Sequence, residues 1–242
     1  ATIGRVMKPT IRTSSTVRKK GAYLRIWSAT TGELVHTLQG HETGFADDYS
    51  LSFSPNGKFL VSSVYLRSGF RISFSTELKV WDVHTGECQR VFYLPKRQIR
   101  CIAISPDGKY LVAGTGASRR LLHMSSIAPK FLKNQPQSQL YVWDLTKMPI
   151  SRPRSVEVGS LAVNDLSFSA DGKIVASAEA IRSKQQGRTI SGRFTVWKMP
   201  NVQLLSRVAV DTPSEGLSTI ACHPEGKGIV WVIRREGDED DE

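Results

Sequence analysis

Leu51-Ser52-Phe53-Ser54-Pro55-Asn56-Gly57-Lys58-Phe59-Leu60-Val61 is the stretch on which the fold is decided. Pro55 presets φ at the first central position of a type I turn. Asn56 tolerates the second, and Gly57 takes the left-handed place where a hairpin bulge forms. Short alternating runs flank the turn on both sides, the pattern of an antiparallel hairpin with one buried face. The turn returns as Ser105-Pro106-Asp107-Gly108-Lys109, Ser169-Ala170-Asp171-Gly172-Lys173 and His223-Pro224-Glu225-Gly226-Lys227.

A second signal keeps step with the first. Trp27, Trp81, Trp143 and Trp197 close the apolar runs Leu24-Arg25-Ile26-Trp27, Leu78-Lys79-Val80-Trp81, Leu140-Tyr141-Val142-Trp143 and Phe194-Thr195-Val196-Trp197. Gly57, Gly108, Gly172 and Gly226 lie 51, 64 and 54 residues apart, and the tryptophans 54, 62 and 54. Two unrelated features with the same irregular beat mark one repeated unit with variable insertions.

These residues resemble WD40 repeats of a β-propeller. The resemblance rests on the turns, on Trp81-Asp82 and Trp143-Asp144, and on Gly40-His41, and it covers roughly residues 23–235. It implies an all-β propeller with four strands, a to d, in each blade. Strands c and d of one blade fall near 23–27 and 34–38, three whole blades follow, and 218–222 and 229–234 supply only a and b. The expectation is a WD40-like propeller of about four blades, the last closed by the N-terminal c and d strands joining the C-terminal a and b strands. The alternative is an incomplete arc completed elsewhere. The domain plan is a basic leader over 1–22, the propeller over 23–235 and an acidic tail over 236–242.

In common WD40 repeats a short b–c turn carries an Asp that helps tie the blade to the His and Trp. Here the b–c connections run over about 65–77, 116–139 and 180–192, and none holds an Asp. His41, Ser62 or Ser63, and Trp81 retain part of that tie in this reading.

The chain has 33 Lys plus Arg against 22 Asp plus Glu, a formal net charge of +11. Six of the acids lie in 236–242, so residues 1–235 carry 33 basic against 16 acidic residues, a net +17. The leader holds Arg5, Lys8, Arg12, Arg18, Lys19 and Lys20 and no acid. The b–c connections add Arg67, Arg71, Arg119, Arg120, Lys130, Lys133, Arg182, Lys184 and Arg188 against one acid, Glu77. In the geometry the resemblance implies, b–c and d–a connections leave one face, where Lys96 and Arg97 join them. Charge gathered this way suits an acidic protein surface or nucleic-acid phosphates.

Catalytic patterns are absent from the sequence. The five histidines form no HExxH, there is no GxSxG, and Gly114-Thr115-Gly116 lacks the third glycine of a nucleotide fingerprint. Cys88, Cys101 and Cys222 have no metal-ligand spacing and read as small buried hydrophobes in a reducing compartment. The expectation is therefore a non-enzymatic scaffold with no catalytic, metal or cofactor site. Its partners are protein subunits of a larger assembly, with RNA or another polyanion as the alternative, and neither a membrane nor a small-molecule substrate. The compartment expected is intracellular, the cytoplasm first, with nucleus and organelle matrix open.

Overall fold

A computed structural model describes residues 22–41, 49–68, 73–95, 97–116, 137–147, 152–159, 162–182, 189–210, 217–224 and 227–233. Sixteen strands run through them. β1 (Ala22–Trp27) and β2 (Leu34–His41) form a two-stranded antiparallel sheet. β3 (Tyr49–Phe53), β4 (Phe59–Ser68), β5 (Ser73–Asp82) and β6 (Cys88–Pro95) make a four-stranded meander. A second meander holds β7 (Gln98–Ile104), β8 (Tyr110–Gly116), β9 (Ser138–Asp144) and β10 (Arg154–Gly159). A third holds β11 (Ala162–Phe168), β12 (Ile174–Arg182), β13 (Thr189–Lys198) and β14 (Gln203–Val210). β15 (Leu217–Cys222) and β16 (Ile229–Ile233) form a second two-stranded sheet.

The molecule is all-β, and its blades are three meanders flanked by two half-blades. β1–β2 and β15–β16 are separate sheets with no ladder between them among the described residues. Of the two expected arrangements, closed ring or arc, the strand order is that of the arc.

The repeated turns are built as their residues dictate. Gly57, Gly108 and Gly172 sit at φ +69°, +72° and +70°, where a Cβ is disfavoured and glycine is not. The serine that opens each turn does more than the sequence reading gave it. Ser54 Oγ donates to Asn56 Oδ1 at 2.8 Å and accepts the Phe59 amide at 2.9 Å. Ser105 and Ser169 repeat both contacts with Asp107 and Tyr110, and with Asp171 and Ile174. The turn ending in Gly226 lies partly outside the described residues.

Burial falls from the inner strands to the outer ones. β7 and β8 are buried almost throughout, as a strand covered on both faces must be, whereas β6 and β14 are largely exposed. Four hydrophobic cores lie between successive sheets. One joins Leu24, Ile26 and Leu38 to Leu60 and Trp81. The next joins Val61, Leu78 and Val80 to Ile102, Leu111 and Trp143. Val112, Leu140 and Val142 meet Val163, Val175 and Trp197 in the third, and Ala176, Ala178 and Phe194 meet Ile220 in the fourth. Trp81, Trp143 and Trp197 each pack on the sheet before their own. Trp27, at the same place in β1, is exposed.

Polar side chains add to this packing at the last junction. Asp165 of β11 accepts the Ile220 amide of β15 at 2.9 Å, and Ser167 Oγ accepts that of Cys222 at 3.0 Å. Gly114 and Gly116, weighed above as nucleotide-loop residues, are strand residues of β8. A Cβ on Gly114 would stand 2.5 Å from Val163 Cγ1, and one on Gly116 2.5 Å from the Ala162 Cβ. Close approach of the next blade explains both.

Two expectations need correction. The connections over 65–77 and 180–192 are mostly strand: β4 runs to Ser68 and β5 starts at Ser73, while β12 runs to Arg182 and β13 starts at Thr189. Alternating stretches such as Val64-Tyr65-Leu66 and Phe74-Ser75-Thr76 have the β-branched and aromatic content that extends a hairpin. Of the cysteines, only Cys101 is buried. Cys222 is half-buried, and Cys88, the first residue of an outer strand, is exposed.

Candidate interaction face

The ends of the strands, not their faces, gather the connections. Arg97, between β6 and β7, donates from its guanidinium to the Gln137 carbonyl at 2.8 Å, just ahead of β9. Thr76 Oγ1 of β5 donates to the Arg97 carbonyl at 2.7 Å. A d–a connection thus rests against b–c ends from its own blade and the one before, so both kinds of connection leave the same side of the sheets. The basic residues assigned to this side fall mostly outside the described ones. That holds for Arg71, Arg119, Arg120, Lys130, Lys133, Lys184, Arg188 and Lys96, while Arg67 and Arg182 are placed by backbone only, at the tips of β4 and β12.

Beneath this face lies a buried chain of polar contacts. Trp81 Nε1–H donates to Ser62 Oγ at 2.8 Å, and Ser62 Oγ lies 2.6 Å from His41 Nε2. His41 Nδ1 is 2.7 Å from Glu77 Oε1. Tyr93 Oη donates to Glu77 Oε2 at 2.9 Å, and Lys79 Nζ, 3.6 Å from Glu77 Oε1, donates to the Gly40 carbonyl. The hydroxyl of Ser62 accepts from the indole and donates to Nε2, which leaves Nδ1–H to donate to the carboxylate. A neutral imidazole satisfies every partner, and burial holds the His41 pKa below its ordinary 6.5 despite the pull of Glu77. The acid that the b–c turn lacks is therefore supplied from β5. Of the two serines considered, Ser62 carries the tie, and the Ser63 hydroxyl is buried without a partner among the described residues.

The third blade also sets a buried glutamate behind its tryptophan and serine, but from β12, and its basic partner comes from the blade itself. Trp197 Nε1–H donates to Ser177 Oγ at 3.0 Å, and Ser177 donates to Glu179 Oε1 at 2.9 Å. Arg193 donates to Glu179 Oε2 and to the Val158 carbonyl at the end of β10. In the first blade a histidine of the preceding sheet reaches forward to an acid. In the third an arginine reaches back to the preceding sheet. The second blade has Ala113 where Ser62 and Ser177 stand, opposite the same strand position. The sequence signal for this was available: Ser62 and Ser177 each follow their turn serine by eight residues.

Asp82 and Asp144, next to their tryptophans, cap the c–d turns. Asp82 Oδ1 accepts the amides of His84 at 2.8 Å and Thr85 at 2.9 Å, and Asp144 Oδ1 accepts that of Thr146 at 3.1 Å. These bonds hold both carboxyls below the usual carboxylate range, with the Thr85 amide the largest cause for Asp82 and the Thr146 hydroxyl for Asp144. Ser28 does the same beside Trp27, accepting the Thr31 amide at 3.1 Å.

Residues 32–82 and 86–121 match the WD40 family, described as WD domain, G-beta repeat. Human apoptotic protease-activating factor 1 is 35% identical over 96 residues, 37% of this chain and 7% of that protein. Eukaryotic translation initiation factor 3 subunit I of Aspergillus fumigatus is 30% identical over 102 residues, 42% of this chain and 26% of that one. Nuclear distribution protein PAC1 of Coccidioides posadasii is 27% identical over 122 residues, 50% of this chain and 23% of that one. The chain thus spans only a small part of the curated relatives it matches. Among solved structures, the Dos1 propeller aligns with a TM-score of 0.56 at 15% identity, over 87% of this chain and 44% of that one. Hydrazine synthase of Kuenenia stuttgartiensis aligns with the same score and identity, over 87% and 64%. At that identity the likeness is one of fold.

Proposed function

We propose that this chain, whose matched residues are WD40 repeats and whose blades are those of a WD40 propeller, is a non-catalytic scaffold that holds protein subunits together in a larger assembly. The observation that carries this reading is the gathering of b–c and d–a connections on one side of rigid sheets, anchored by the Arg97–Gln137 contact. Packed sheets hold connections of unequal length in fixed relation, and connections make contacts. One relative is named as a subunit of a multi-subunit initiation factor, which supports a place in a complex. No helix among the described residues is long and apolar enough to cross a membrane, and the cytoplasm is the compartment we assign. The test is cross-linking of the chain in cell extract. Links from Lys130, Lys133 and Lys184 to a defined set of proteins, lost when Arg119 and Arg120 become Glu, support the scaffold. Turnover of a substrate abolished by one pocket substitution would overturn it.

A second reading, RNA or polyanion binding by the same side, is favoured by the net +17 of residues 1–235. Phosphate contacts by these side chains would make affinity fall with salt. Binding to a mixed-sequence RNA, measured against salt in the intact chain and in the R119E/R120E and R182E/K184E/R188E variants, decides it. A flat salt dependence, or variants that bind as well as the parent, removes this reading.

A further inference from the structure

We propose that the groove between β10 and β14, on the outer wall of the second and third blades, binds an extended acidic segment of a partner protein. Both blades are whole four-stranded sheets, so the groove is formed within the repeats and not at the two half-blades. Its lining follows from the ladders. Arg154 stands opposite Val142, whose core joins the second blade to the third. Leu204 and Arg207 stand opposite Trp197 and Thr195, and Trp197 belongs to the same core. Directly opposed residues share a face, and faces alternate along a strand. All three side chains therefore look into the space between the two blades. Two contacts span that space. At one end Arg154 donates from its guanidinium to Asn201 Oδ1, 3.2 Å away in the c–d turn of the third blade. At the other end Arg193 donates to the Val158 carbonyl. Between these contacts Leu204 is 46% exposed and Arg207 is exposed, beside half-buried Val156.

Charge says what fills the groove. Arg193 is paired with Glu179. Arg154 has only the neutral Asn201 amide, and the Arg207 guanidinium has no ion pair or hydrogen bond among the described residues. The connections on either side of β10, residues 145–153 and 160–161, contain no acid, and neither does 199–202 ahead of β14. The corresponding grooves differ. Between β6 and β10, Arg90 is held by the Leu145 carbonyl, and Glu157, on the same side of its sheet as Trp143, supplies an acid. Between β2 and β6, the facing strand β6 presents the uncharged Val91 and Tyr93. Two guanidiniums without an acid, beside an exposed leucine, suit a carboxylate next to an apolar side chain. A guanidinium takes a carboxylate through two parallel N–H donors. A phosphodiester backbone would leave the leucine uncovered, which favours a protein over a nucleic acid.

The register sets the spacing the partner needs. Trp197 and Thr195 are two residues apart, so Leu204 and Arg207 lie about 7 Å apart along the strand. The extra residue, Leu205, falls at the bulge. β14 has one hydrogen-bonded neighbour among the described residues, and its outer edge can accept another strand. A segment added there, with an apolar residue at one position and Asp or Glu two positions on, meets Leu204 and Arg207 directly. A second acid reaches Arg154 across the groove. This surface is separate from the b–c side, so either proposal can fail alone.

The test titrates a fluorescein-labelled synthetic peptide of alternating valine and glutamate against the 242-residue chain and reads anisotropy. Saturable binding is expected, and a counterpart with glutamine in place of glutamate should bind about tenfold more weakly. Arg207→Glu should cause a loss of the same size. The double variant Arg154→Glu/Arg207→Glu should prefer a valine–lysine peptide to the valine–glutamate one, a reversal that a folding defect cannot produce. Leu204→Ser should weaken binding with its salt dependence unchanged. Arg119→Glu/Arg120→Glu, on the b–c side, should bind as the parent does. No saturable binding by the parent, equal affinity for the glutamine peptide, or a double variant without the reversal would each overturn the proposal. Loss of binding in the Arg119→Glu/Arg120→Glu variant would place the peptide on the b–c side and overturn it too. Mixed-sequence RNA that displaces the peptide, and binds Arg207→Glu more weakly than the parent, would make the groove a nucleic-acid site instead. If the double variant loses strand content by circular dichroism, Arg207→Gln, which alters one exposed side chain, decides by its loss of affinity.

Discussion

Glu77 Oε1 stands 2.7 Å from Nδ1 of His41, a carboxylate of the first full blade against an imidazole of the half-blade before it. The pair ties β2 to β5 more tightly than apolar contact alone, because each partner has further bonds to satisfy. Glu77→Ala strips an acceptor from His41 and Tyr93 and leaves Lys79 without its nearby acid. Leaving a buried donor unmatched costs about 1–3 kcal/mol, so the expected loss is about 2–3 kcal/mol. At about 2–4 °C per kcal/mol for a domain of this size, the melting temperature falls by several degrees. Glu77→Gln keeps one acceptor oxygen and loses less. A melt unchanged in Glu77→Ala would show that the tie adds nothing to packing.

The same histidine sets a pH dependence. Burial lowers the folded-state pKa of His41 below the ordinary 6.5, so between those two values the unfolded chain binds the extra proton and the folded chain does not. Stability then rises with pH through this window. The contribution is complete above about pH 6.5 and is lost as pH falls from there towards the folded pKa. Urea midpoints at several pH values should therefore decline below neutrality in the parent. His41→Gln should be weaker at neutral pH and lack that part of the decline. Equal slopes in the two proteins would assign the acid sensitivity elsewhere.

The tie between these residues also shows where sequence reading stops. Strand positions were legible because turns and tryptophans are local signals, and Ser54 to Lys58 or Leu78 to Trp81 announces its own conformation. In the sequence Glu77 stands among the loop charges, because its role depends on β5 beginning at Ser73, which only the long hairpin with β4 makes possible. Arg193 and Glu179 were equally hidden. They lie fourteen residues apart and become partners only in the cross-strand register of β12 and β13. Exposure of Trp27 was hidden for another reason: a motif gives a residue's place in a blade, and its burial depends on the neighbouring blade.

The turn serines and glycines should be unequal in cost to replace. Gly108 lies at φ +72° with only the Asn56 amide nitrogen near its Cβ direction, at 3.6 Å. Ala there suffers backbone strain rather than a clash, about 1 kcal/mol. Ser105→Ala removes the acceptor of the Tyr110 amide and a donor to Asp107, a loss of about 1–2 kcal/mol. Chemical denaturation of both variants ranks them, and Gly108→Asn should fall closer to the parent than Gly108→Ala, because asparagine tolerates this backbone region. If alanine and asparagine cost the same, strain at φ is not what fixes the residue.

Gly114 presents the opposite case, since its backbone is ordinary and its surroundings are full. A methyl group there meets Val163 Cγ1 at 2.5 Å and Cys101 Sγ at 2.8 Å, both buried between the second and third blades. Overpacking a site of this kind costs about 1–3 kcal/mol. Val163→Ala alone opens space in the same core and is itself destabilising. Combined, the added methyl of Gly114→Ala occupies part of the space vacated by Val163→Ala. The double variant should therefore be more stable than the sum of the single losses by about 1 kcal/mol, within the coupling expected of contacting residues. A double-mutant cycle on urea unfolding measures that difference directly. Strict additivity would mean that the blades separate to admit the methyl, and that the close approach of β11 to β8 is not what keeps position 114 a glycine.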